Sequence, residues 1–132
     1  MSPLVTGSIE LSLDLLEKNG MLVPFCKART DSPEALYLCP DSEVSYTRAD
    51  AMASLRRELE SRRAQICEFV LCSEAYGRRD EETEDTHFLK VEYQSARESD
   101  MMEGIYYFPI LSEAGRLLVR TYDRFELKEK II

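Results

Sequence analysis

The sequence holds a single histidine, His87, and its five glycines stand one at a time, at positions 7, 20, 77, 104 and 115. Any cysteine–histidine or serine–histidine catalyst would have to use that one imidazole, and no nucleophile-elbow motif accompanies it. Isolated glycines at turns build neither the P-loop nor the dinucleotide fingerprint, both of which need glycines clustered around a phosphate. Apolar runs are short: none approaches the roughly 18 residues of a membrane-spanning helix. The first 20 residues carry no basic stretch followed by a continuous apolar segment, so no signal peptide is read and a cytoplasmic protein is expected. Basic residues are also scarce, 17 against 25 acidic, for a formal charge of −8. Phosphate backbones are held by clustered Lys and Arg, so neither a nucleic acid nor a membrane is an expected partner.

The four cysteines lack the spacing of a metal site. Zinc-binding thiols come two to four residues apart, as repeated pairs or with histidines. Cys67 and Cys72 are five residues apart and point to opposite faces of one strand. Cys26 and Cys39 fall roughly opposite each other across a hairpin, but with the sole histidine elsewhere they make a poor zinc pair. The expectation is free thiols packed as small apolar side chains, with no metal and no cofactor.

What is present describes one globular domain over residues 1–132, with 44% apolar and 32% charged residues. Residues 1–7 read as a flexible N-terminal tail. Ile9, Leu13 and Leu16 fall at helical spacing, with Ser8 as N-cap and Gly20 as a left-handed stop, predicting a helix over 8–19. "MLVPFCKA" and "ALYLC" then predict a hairpin, its first strand marked by Pro24 as an edge or bulged strand. Thr47 opens a second helix over 47–64, with the stripe Met52, Leu55, Leu59 and Ile66 and surface pairs Arg56–Glu60 and Glu58–Arg62.

From Gln65 the apolar period becomes two. "ICEFVLCSEAY" and "HFLKVEYQSAR" form a long hairpin around an acidic loop at 77–86. A register in which paired residue numbers sum to about 164 sets Leu71 against Tyr93 and Glu74 against Lys90. A one-residue slip would turn Lys90 and Glu92 inward. "GIYYFPIL" and "RLLVRTYDRFEL" predict two more strands around "SEAG", with Tyr106, Phe108 and Ile110 on the face of Leu117 and Val119. The order is α-β-β-α-β-β-β-β: an α+β fold with a mainly antiparallel sheet and two helices packed on one face.

Gly20, Pro24 and Phe25, then Tyr107, Phe108 and Pro109, resemble a group of small bacterial α+β proteins. In that group the first strand reads Gly-x-x-x-Pro-Phe and a late strand carries an aromatic-Pro motif. The resemblance spans most of the chain and implies an α+β domain, but it carries no activity and no catalytic residue.

The candidate contact residues follow from exposure and charge. Asp80, Glu81, Glu82, Glu84 and Asp85 form a solvated hairpin tip without the ligand spacing of a calcium loop. Tyr107, placed beside Arg120 on the outer sheet face, is a candidate partner-binding patch. His87 and Cys39 are the candidates for a pocket rim. Size, acidity and missing catalytic motifs predict a non-enzymatic protein–protein interaction domain, immunity-like, with a basic protein partner. The alternatives are an acidic secretion-chaperone-like homodimer, or a ligand-binding or enzymatic domain with a pocket between helices and sheet.

Overall fold

The computed structural model describes residues 1–40, 47–78 and 82–132. Helix α1 (Pro3–Asn19) is followed by strands β1 (Phe25–Thr30) and β2 (Leu36–Leu38), then by helix α2 (Arg48–Ser61). A short 3₁₀ turn leads into β3 (Ile66–Gly77), β4 (Thr86–Ser95) and β5 (Gly104–Pro109). The chain closes with β6 (Leu111–Glu113), β7 (Arg116–Leu118) and β8 (Asp123–Phe125). Six strands form one antiparallel sheet in the order β2-β1-β3-β4-β5-β8, while β6 and β7 form a hairpin apart from it. The fold is α+β, and the expected order of elements holds, with the last two expected strands each divided, one into β5 and β6 and the other into β7 and β8.

Helix α1 starts earlier than the apolar spacing indicated. Ser2 accepts the Leu4 amide as N-cap and Pro3 occupies the first turn, where its missing N–H costs nothing. Residues 3–7 are therefore helix rather than a flexible tail, and Val5 is fully buried. Ser8, expected as the cap, instead lies buried and donates back to the Leu4 carbonyl, and Ser12 does the same to Ser8. At the other end Gly20, at φ +73°, returns its N–H to the Leu16 carbonyl, the left-handed stop that was expected.

The helices differ from the expected arrangement, for they cover opposite faces of the sheet. Val5, Ile9 and Leu16 of α1 pack with Phe25, Val70, Cys72, Leu89, Val91 and Tyr93. Leu55 and Leu59 of α2 pack with Cys26, Ala28, Phe69 and Leu71. Neighbouring residues of a strand face opposite ways, so these two sets are the two sides of one sheet. The reason lies in β3, which is buried along most of its length on both sides: Val70 and Cys72 demand cover on one face, Phe69 and Leu71 on the other.

That double burial also explains the register. Leu71 opposes Glu92, Cys72 opposes Val91, and Glu74 opposes Leu89, while Lys90 opposes Ser73. Paired numbers sum to 163, one residue away from the expected register, and Glu74 and Lys90 lie on opposite faces. Alternation selects a register only when one face is wet. Here the inward turn of Glu92 is tolerated because Arg56 of α2 meets it with two hydrogen bonds, at 2.5 and 3.3 Å, and Gln94 adds a third at 2.9 Å. Arg56 therefore leaves the expected Glu60 pairing, whereas Glu58–Arg62 forms as expected, at 2.6 Å. The first hairpin is offset by one as well: Cys26 faces Leu38, not Cys39.

Pro109 ends the β5 ladder, and the chain leaves the sheet. The β6–β7 hairpin turns at Ala114 and Gly115, both at positive φ, and folds back toward α1. There Glu17 accepts the Leu117 amide at 2.7 Å and the Arg116 guanidinium at 3.1 Å. Ile110, Leu117 and Val119 thus join the same core as Tyr106 and Phe108, though by folding back rather than by strand pairing. The partner that β5 acquires in the ladder is β8, through Ile105–Phe125 and Tyr107–Asp123. Gly104 permits this approach: a Cβ there would stand 2.8 Å from the Phe125 carbonyl oxygen.

Candidate functional site

Helix α2 is only 14 residues long and roofs the β1–β3 side of its sheet face. Toward β5 and β8 the same face is left uncovered and forms an open groove of about 1080 Å³. Phe88 and Lys90 of β4, Ile105 and Tyr107 of β5 and Phe125 of β8 provide its floor and one wall. Arg78, past the end of β3, and Glu126 and Lys128, past β8, stand around it. Strand alternation places Phe88, Lys90 and Glu92 on one side of β4, so the groove runs on from the Glu92–Arg56 contact where the roof ends.

The rings have fixed mutual geometry. Tyr107 meets Phe88 edge-on, with centroids 6.0 Å apart at 83°, and meets Phe125 at 5.6 Å and 84°. Phe88 is buried, Tyr107 half-buried, and Phe125 is 57% exposed, so the aromatic series climbs from floor to rim. Lys90 is half-buried between Ser73 and Tyr107 on the neighbouring strands. Its ammonium has no carboxylate within ion-pair distance among the described residues. Arg78, by contrast, is held by Asp85 at 3.0 Å, and Arg124 donates to the Glu103 carbonyl. Four cationic side chains line the groove against the carboxylates of Asp123 and Glu126, the reverse of the chain's overall balance.

A second polar cluster lies on the α1 side, at the same end of β3 and β4 as the groove. His87 Nε2 is 2.8 Å from Glu74 Oε1, and the other oxygen of that buried carboxylate accepts the Leu22 amide at 2.9 Å. Tyr76 stacks on the imidazole at 4.6 Å with the rings nearly parallel. These contacts hold the fold together: the carboxylate ties the α1–β1 connection to the sheet, and the imidazole completes its hydrogen bonding. Glu68 is anchored similarly, by Arg29 at 3.1 Å and the Tyr93 hydroxyl at 2.7 Å.

The expected contact residues are scattered by this architecture. Asp80 and Glu81 lie outside the described residues. Glu82 accepts the Thr86 hydroxyl at 3.0 Å, Asp85 is engaged by Arg78, and Glu84 is exposed. Tyr107 lines the groove, but Arg120 is not beside it: Arg120 pairs with Glu113 at 2.7 Å within the β6–β7 hairpin, because the ladder partner of Tyr107 is Asp123. His87 faces α1 and Cys39 follows the edge strand β2, so neither lines the groove. Cys39 is exposed, whereas burial pushes the Cys26 thiol far up and that of Cys72 to about 12. Among the described residues no three His, Cys, Asp or Glu side chains converge as for a metal ion.

Sequence reasoning missed Phe88, Lys90, Ile105 and Phe125. Their signal was present in two aromatics and a lysine that share one face of β4 and β5, but the one-residue register offset assigned Lys90 to a solvated pair with Glu74. Gly20, Pro24, Phe25, Tyr107, Phe108 and Pro109 mark a helix cap, the approach to β1 and the end of β5. No helix among the described residues is long and apolar enough to cross a membrane. Compared with protein-family models, with curated proteins and with solved structures, the chain matches none.

Proposed function

We propose that this chain is a non-enzymatic binding domain that acts through the groove beside α2. The observation that carries the reading is Lys90, an ion without a carboxylate partner among the described residues, held part-way into an apolar wall of Phe88, Tyr107 and Phe125. Concave, largely apolar surfaces with a few convergent polar groups are where small ligands bind. The buried carboxylates, Glu68, Glu74 and Glu92, are each satisfied by partners within the fold. Expected partner chemistry therefore moves from the acidic hairpin tip to the opposite sign of charge, in the groove.

The test is a screen of small aromatic and aliphatic compounds by saturation-transfer NMR, with binders mapped on amide spectra. Shifts confined to β4, β5 and β8, and lost in Phe125→Ala, support the groove. A protein that binds none of them, yet shifts at Glu82–Asp85 when titrated with a basic protein, would move the function to the acidic loop.

A further inference from the structure

Resting on the groove reading, we infer that the ligand is a small organic anion with an apolar body, its carboxylate or sulfonate on Lys90 and its body against Phe88, Tyr107 and Phe125. The argument is one of complementarity. Lys90 projects from the middle of β4, flanked along its own strand by Phe88 and Glu92. Glu92, two residues along the strand, is 2% exposed and committed to Arg56 and Gln94, so it does not serve Lys90. Asp123 and Glu126, which line the same groove, are not within ion-pair distance of Lys90. Asp85 is likewise committed to Arg78.

Position then selects the ligand's shape. Lys90 lies among strands rather than at a loop tip, in the same groove as the rings of Tyr107 and the exposed Phe125. A bare inorganic ion would leave those rings in water. An aryl or acyl group attached to the anion covers them, and apolar burial adds to the charge-assisted hydrogen bond. Lys90, Arg78, Arg124 and Lys128 line the groove against Asp123, Glu126 and the Asp85 that pairs with Arg78. This excess of positive charge favours anions over their neutral counterparts. A neutral or cationic ligand would leave Lys90 desolvated and unpaired, which is where the selectivity comes from.

The experiment uses two probes of one shape, naphthalene-2-carboxylate and naphthalene-2-carboxamide, titrated into the full chain by calorimetry and by amide NMR. The carboxylate is expected to bind about tenfold tighter than the amide. Lys90→Gln should remove that margin, and Phe125→Ala should weaken both probes alike. Equal affinity for the two probes in the wild-type chain, or a Lys90→Gln variant that keeps the margin, overturns the anion assignment while the groove stands. Failure of both probes to bind, or shifts mapping away from β4, β5 and β8, overturns the groove reading itself. The two-probe comparison in the wild-type chain does not depend on any variant folding.

Discussion

At the scale of single residues, the cysteines divide by burial rather than by spacing. The thiolate is the reactive form, and burial holds Cys26 and Cys72 protonated far above neutrality. Cys39 alone is exposed. Labelling with a chromogenic disulfide at neutral pH should therefore titrate one thiol rapidly and the rest only after denaturation. Two or more fast thiols in the native chain would contradict the packing of β1 and β3. Arg56 shows how a side chain can serve two elements. It sits on the outer flank of α2 yet ends on the buried Glu92. Arg56→Ala strands a carboxylate that is 2% exposed, with only the Gln94 amide for company. Urea denaturation should show a loss of about 2 kcal/mol, less than for a fully buried pair because Arg56 is part-exposed. A change below about 0.5 kcal/mol would mean that water already solvates Glu92.

Elements carry the next two tests. If residues 1–7 were a tail, removing them would be neutral. In the structure they are the first turn of α1, and Val5 is fully buried against the sheet. Val5→Ala should cost about 1–2 kcal/mol in urea denaturation, and deletion of residues 1–7 more. A deletion that unfolds at the wild-type midpoint would restore the tail reading. The β6–β7 turn offers an opposite sign of effect. Ala114 adopts φ 51°, a left-handed conformation that strains alanine and that asparagine tolerates. Ala114→Asn should raise stability by about 0.5–1 kcal/mol, read as an increase in Tm. No gain, or a loss, would place the turn in another conformation.

For the molecule as a whole, the groups with raised pKa values fix the direction of its pH dependence. Burial raises the Cys26 and Cys72 thiols, and the Tyr93 and Tyr106 hydroxyls. Each of these groups holds its proton in the folded chain at a pH where the unfolded chain has released it. Their contribution is complete below the unfolded values, roughly 8.5 for cysteine and 10 for tyrosine, and is lost as pH rises beyond them. The urea midpoint should accordingly fall between about pH 9 and 11. In a Cys26→Ala, Cys72→Ala double variant the first part of that fall should flatten. An unchanged slope in that variant would show that the two thiols are solvated.

Local chemistry was enough to define the elements: the Gly20 stop, the Thr47 cap that accepts the Asp50 amide, the Glu58–Arg62 pair and the period-two runs of β3 and β4 are each settled within a few residues of chain. From these the α+β class and the order of elements follow. Which face each helix covers, the one-residue register of the long hairpin, the detour of β6 and β7 toward α1, and the pairing of β8 with β5 were decided by tertiary structure. The physical reason is that β3 is apolar on both faces and that the inward-facing polar residues acquire partners from distant elements, Arg56 for Glu92 and Leu22 for Glu74. Alternation alone reads such residues as a wet face, so Lys90 was legible as a charge in the sequence, while its place in an aromatic groove depended on the fold.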